Sequence, residues 1–103
     1  MKKTLVMLIA AAFAAGAWAA GPEDAMTKAG CMACHAKDKK IIGPAFKDIA
    51  AKYKGQDVTA RLMEKVRKGG SGVWGPIPMS PNTTDKIDDA ALKDAIAFIL
   101  KTS

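Results

Sequence analysis

The chain has 103 residues, half of them hydrophobic, with 16 Lys and Arg against 10 Asp and Glu and only two cysteines. That length fits one domain, and two cysteines exclude a multi-disulfide scaffold. The formal charge of +6 suits an acidic partner or an anionic surface, and without a groove-reading motif it does not point to nucleic acid.

The first segment reads as a targeting signal. Lys2 and Lys3 are followed by an apolar run from Leu5 to Ala15, and Ala17-Trp18-Ala19 has the small-x-small pattern of a processing site. Residues 1–19 are therefore expected to be a cleaved secretory signal peptide. The alternative is a retained anchor, but the uncharged stretch of sixteen residues from Leu5 to Ala20 falls short of the roughly 20 a spanning helix needs. Cleavage after Ala19 leaves a single domain, 20–103, of 84 residues. It loses two lysines and no acids, so 14 basic residues face 10 acidic ones and the net charge becomes +4. A chain this short buries only about 60 to 65% of its unfolded surface and generally needs a staple.

Pro22-Glu23-Asp24 opens the mature chain as a helix start, with proline in the first turn and acids complementing the dipole. That helix runs to about Gly30. Gly30-Cys31-Met32-Ala33-Cys34-His35 follows, and Cys-x-x-Cys-His reads as a covalent haem attachment site. Two thiols three positions apart can each add to one vinyl group, and the histidine after the second is then held under the iron. The residue types also admit a Cys-x-x-Cys thiol oxidoreductase, which calls for a βαβ scaffold, and a zinc site, which calls for a fourth ligand.

After a polar loop, Gly43-Pro44 marks a turn. Phe46, Ile49, Ala50 and Tyr53 then fall on one face of a short helix that Gly55 ends. Asp57 is the expected N-cap of the next helix, with Val58, Leu62, Met63 and Val66 on its apolar face and Arg61, Lys65 and Lys68 on the wet one. Gly69 to Asn82 shows neither a helical nor a strand period. It nevertheless carries Val73, Trp74, Ile77 and Met79, too much apolar surface for a solvated linker. Asp88-Asp89 signals the cap of a last helix with Leu92, Ala95, Ile96 and Ile99 on one face. The pattern predicts an all-α fold, four short helices wrapped around one covalently attached haem.

His35 is the sole histidine, so it can supply only one axial ligand. A neutral lysine is disfavoured by an ordinary pKa of about 10.4. Of the four methionines beyond the signal, Met26 and Met32 are too close to the attachment turn to reach the opposite face. Met63 sits within a helix, where core packing is the ordinary role. Met79 lies between Pro78 and Ser80-Pro81, in a stretch whose prolines restrict the backbone and pre-position the thioether.

These blocks together resemble the small bacterial class I c-type cytochromes of the cytochrome c-551/c-552 family. The likeness is carried by Cys31 to His35, Ile42-Gly43-Pro44-Ala45, and above all Gly72-Val73-Trp74-Gly75-Pro76-Ile77-Pro78-Met79 with Pro81-Asn82. It implies the class I cytochrome c fold. It also implies that the Pro44 carbonyl accepts the proximal imidazole N–H, that Trp74 donates its indole N–H to a propionate, and that Asn82 hydrogen-bonds around the ligating sulfur. Plain core for Trp74 and a simple turn for Asn82 are the competing roles. Two positions depart from the family's pattern. Lys65 stands where an arginine often pairs with a propionate, so the bidentate fork is lost. Met26 stands where an aromatic often faces the aromatic of the last helix, here Phe98.

The expected function is that of a periplasmic, monomeric, non-enzymatic electron carrier with one haem c and His35 and Met79 as axial ligands. Its partners would be redox proteins, met through an apolar haem-edge patch ringed by Lys37, Lys39, Lys40 and Lys47. A haem enzyme or gas sensor with an open sixth position is the principal alternative.

Overall fold

A computed structural model describes residues 21–103. The signal-peptide expectation for residues 1–19 lies outside the described residues. Four helices are present: α1 Pro22–Ala29, α2 Phe46–Lys52, α3 Thr59–Lys68 and α4 Asp89–Leu100. A 3-10 turn, Cys31–Ala33, follows α1, and two short strands, β1 Gly70–Gly72 and β2 Gly75–Met79, separate α3 from α4.

The last helix is the centre of the fold, because α1, α2 and α3 all pack on α4. None of the first three is long enough to persist alone in water. Met26 from α1, Phe46 from α2, and Ile87, Leu92, Ala95 and Ile96 from α4 and its approach form the buried cluster. Leu62, Met63 and Val66 on α3, together with Cys31, Met32 and Phe98, pack against it and stay partly exposed. Among the described residues no helix is long and apolar enough to cross a membrane.

Caps define where the helices begin and end. Gly21 precedes Pro22 at the first position of α1, Glu23 and Asp24 lie in its first turn, and Lys28 lies in its last. Asp88 caps α4, its carboxylate accepting the Ala91 N–H at 2.7 Å. The expected cap at Asp57 is not used. Val58 occupies the cap position of α3 without any side-chain hydrogen bond. Its burial explains the displacement: an apolar residue drawn into the core fixes the helix start, and Asp57 is left one residue too early.

The stretch from Gly69 to Asn82, expected to be irregular, contains an antiparallel hairpin. Gly70 pairs with Met79 and Gly72 with Gly75, with a register irregularity between them. Alternating polarity appears only where one face of a sheet is packed. Here β1 is fully exposed and β2 is half-buried only at its two ends, so period two has no cause to appear.

Substituting the two candidate caps separates these assignments. Asp88→Ala is expected to cost about 1 kcal/mol in urea unfolding, whereas Asp57→Ala should stay within about 0.5 kcal/mol of the parent. Equal losses in the two variants would contradict the cap assignment.

Candidate haem site

The site is built on the turn that leaves α1. Gly30 closes that helix, and the Cys31 carbonyl then accepts from both the Cys34 N–H at 3.1 Å and the His35 N–H at 3.0 Å. This tight winding holds Cys31, Cys34 and His35 together, each of them half-buried. Burial pushes the Cys31 thiol above its ordinary pKa; a backbone hydrogen bond opposes the shift, and the Cys34 charge adds to it. The thiol oxidoreductase alternative calls for a βαβ unit, and the described residues hold only one two-stranded antiparallel hairpin. The arrangement also offers no closed zinc site. Among the described residues no group of three or more His, Cys, Asp and Glu side chains could hold a metal ion.

The imidazole is held by the loop that returns beneath it. The Cys34 carbonyl accepts the Gly43 N–H at 2.7 Å and the Ile42 N–H at 3.2 Å, which folds residues 35–43 back on the turn. His35 Nδ1 lies 2.7 Å from the Pro44 carbonyl oxygen. Because a carbonyl can only accept, Nδ1 carries a proton, and in the neutral ring this leaves the Nε2 lone pair free. Gly43 lies flat against the ring, where a Cβ would come within 2.5 to 2.9 Å of Cε1, Nδ1 and Nε2. Phe46 stacks on the imidazole, with centroids 5.5 Å apart.

The second wall is α3 with the hairpin. A cavity of about 320 Å³ is lined by Tyr53, Leu62, Val73 and Trp74, with Arg61 and Lys65 among its cations. A smaller one, about 100 Å³, lies between Pro44 and Trp74. Trp74 borders both, so the indole joins the His35 loop to the Lys65 side of the structure. Lys52 stands 5.6 Å from the Trp74 ring and 5.9 Å from Tyr53, and the Arg61 guanidinium lies 5.8 Å from Tyr53 on its other flank. The rim carries Arg61, Lys65 and Lys68, with Glu64 paired to Lys68 at 2.9 Å, so its net charge is positive and suits an apolar group that ends in carboxylates. Cys31, Cys34, His35 and Met79, the donors expected from the sequence, are not among the residues that line either cavity.

Met79 ends β2 and is half-buried. Its backbone lies against Gly69, where a Cβ would collide with the Met79 carbonyl, Ser80 and Pro81. Three residues later the chain is fixed to α3. The buried Asn82 donates its backbone N–H to the Val66 carbonyl at 2.9 Å and its side-chain amide to Ser80 at 3.1 Å and Val66 at 3.4 Å. Arg67, which the sequence pattern does not single out, reaches over to the same segment. Nothing local in a sequence marks a guanidinium whose acceptors lie 15 to 22 positions ahead. Gly43 likewise reads as an ordinary turn glycine, and the ring contact that constrains it is tertiary.

Large exposed apolar side chains cluster on these two walls: Ile41 and Ile42 in the His35 loop, and Val73, Trp74 and Ile77 in the hairpin. Of the surrounding lysines, Lys37 is engaged locally. Its ammonium lies 3.4 Å from the Glu23 carboxylate and 5.2 Å from the centre of the Phe98 ring. Lys39, Lys40 and Lys47 are exposed and make no ion pair among the described residues.

Comparison with known proteins places the chain in a family. The family model Cytochrome c matches residues 19–103. The chain is similar to cytochrome c-551 of Pseudomonas aeruginosa, 52% identical over 79 residues that cover 76% of this chain and 74% of that one. It is also similar to cytochrome c-552 of Hydrogenobacter thermophilus, 45% identical over 97% of each chain. Among solved structures, wild-type Nitrosomonas europaea cytochrome c552 superposes with a TM-score of 0.70 at 44% identity, covering 79% of this chain and 99% of the other.

The Gly69 contact can be tested against a glycine that lacks it. Gly55 also has positive φ, but nothing lies within 4 Å of its would-be Cβ. Gly55→Ala is expected to cost about 1 kcal/mol of backbone strain. Gly69→Ala should cost about 1–3 kcal/mol more, through collision with the Met79 backbone. Equal urea midpoints for the two variants would show that the close approach is dispensable.

Proposed function

The chain belongs to the cytochrome c family of monohaem electron-transfer proteins, and from that premise we propose that it is a periplasmic electron carrier with His35 and Met79 as axial ligands. Members of this family bind one covalently attached haem c. When bound, that group supplies an iron that changes oxidation state by one electron. The observation that carries the reading is the 2.7 Å contact from His35 Nδ1 to the Pro44 carbonyl, because it commits the ring to one tautomer and leaves Nε2 as the donor atom.

Each residue then has a physical task. Cys31 and Cys34 would each hold the haem through one thioether, the thiol S–H having added across a vinyl double bond. The Pro44 carbonyl raises the basicity of His35 through the shared proton. Met79 offers a neutral, polarizable sulfur, a ligand type that raises the reduction potential. Trp74 donates from Nε1, and Lys65 presents an ammonium, to the propionate end. With His35 and Met79 both committed to the iron no position would be left for a substrate, which is why we read the protein as a carrier and not an enzyme. The processing signal in residues 1–19 supports export to the periplasm.

Partners are redox proteins with acidic docking surfaces. Ile41, Ile42 and Ile77 provide an apolar contact, and Lys39, Lys40 and Lys47 supply charge around it. Lys37 contributes less because Glu23 offsets it.

Two measurements test this reading. The purified exported protein should carry the mass of one haem on a chain that lacks residues 1–19, and its ferric spectrum should show the weak far-red methionine-to-iron band. That band should be lost completely in Met79→Ala, with a lower reduction potential. Persistence of the band in that variant would refute the ligand assignment. Separately, electron transfer with an acidic partner should slow severalfold as the Debye length shrinks from about 30 to about 8 Å, between 0.01 and 0.15 M salt. Charge reversal at Lys39, Lys40 and Lys47 should flatten that dependence, and reversal at Lys37 should change it least.

A further inference from the structure

We propose that Arg67 is a positioning residue that latches the segment following Met79 onto α3 and so sets how long the sulfur stays on the iron, an inference that rests on Met79 being the ligand. One guanidinium holds three acceptors. Nη1 donates to the Ile87 carbonyl at 2.7 Å and the Asn82 carbonyl at 3.3 Å, and Nη2 donates to the Asp89 carboxylate at 2.6 Å. The side chain is largely withdrawn from solvent, 21% exposed against 76% for Asp89. Hydrogen bonds to a charged donor, part-buried, are stronger than neutral surface ones.

The bonded segment is itself stiff. The Thr83 carbonyl accepts from the Lys86 and Ile87 N–H groups at 3.0 and 3.3 Å. The Thr83 hydroxyl donates to the Asp85 carboxylate. Residues 82–89 therefore behave as one folded piece, clamped at its start, near its end and on the first turn of α4. Its upstream end leads directly into Pro81, Ser80 and Met79, whose backbone is pressed against Gly69. For the thioether to leave the iron and swing outward, the chain after it must yield. Asn82 restrains the near end through Val66 and Ser80, and Arg67 prevents the whole piece from lifting off α3.

Lysine cannot replace this residue. An ammonium is a point donor without a planar fork, and it cannot span two carbonyls and a carboxylate that lie on different parts of the segment. Lys68, the neighbouring cation, bonds Glu64 four residues back on its own helix at 2.9 Å and does nothing for the loop.

Cyanide displacement from the ferric holoprotein reads the latch. At saturating cyanide the rate is that of methionine departure, since the sulfur must leave before cyanide takes its place, and no electron moves. R67Q is expected to raise this rate about tenfold, R67K about threefold and D89N by less, because in D89N both carbonyl contacts remain. Gly55→Ala is the control. It loses stability at the turn before α3 and should leave the rate within about twofold of the parent. A parental rate in either Arg67 variant, or an equal acceleration in Gly55→Ala, would overturn the latch. The latch falls together with the ligand assignment if the parent protein itself shows no far-red band; a parent with the band and unaccelerated Arg67 variants removes the latch alone.

Discussion

A single imidazole proton organises one half of this molecule. The Pro44 carbonyl takes it at 2.7 Å, and the rest of the loop is arranged so that the acceptor is there to meet it. Gly43 has no side chain because the ring occupies the space a Cβ would need. The Cys34 carbonyl binds the Gly43 N–H at 2.7 Å, tying the loop to the same turn that carries both thiols. The proline then comes next as the residue that fixes the backbone direction at the acceptor. Thiols, imidazole and acceptor thus share one short closed path of chain, and the buried Phe46 anchors that path in the core against α4.

The other half obeys a different rule. Met79 is placed by its pairing with Gly70 in the hairpin and by contacts that tie the following chain to α3 and its end. Gly69 supports its backbone, Asn82 restrains the chain just beyond it, and Arg67 gathers the segment up to Asp89. A local set of backbone bonds makes the His35 side firm, whereas a long loop held by tertiary contacts leaves the Met79 side freer to move, because the cost of freeing a side chain depends on how much chain must move with it.

The legibility of these two halves in the sequence differs for the same reason. Cys31, Cys34, His35, Gly43 and Pro44 lie within fourteen residues, so spacing carries most of their arrangement. The helix start at Pro22-Glu23-Asp24 and the cap at Asp88 are local signals too and are visible as such. Asp57 misleads because tertiary burial of Val58 moves the helix start. The hairpin is hidden because its strands pack no face against the core, and period two arises only from packing. Arg67 is invisible for a related reason: in the sequence it is one more cation on a basic helix, and only the fold places three acceptors around it.

The surface charge can be sorted by the same physical reasoning. A lysine steers a distant partner only if nothing nearby has already neutralised its field, since screening leaves little beyond a Debye length. Lys28, Lys37 and Lys68 each have a carboxylate within 3.4 Å, and Lys52 lies over two aromatic rings. Lys39, Lys40 and Lys47 have no such neighbour among the described residues, and they flank the loop that carries His35, beside the exposed Ile41 and Ile42. Uncompensated charge and uncovered apolar surface therefore meet at the imidazole loop, although Lys54, Lys86, Lys93 and Lys101 elsewhere on the surface are also free of ion pairs among the described residues. For the proposed carrier an acidic partner would be drawn to that loop, where the hydrogen-bonded path from Pro44 through His35 to the turn of the two thiols is short.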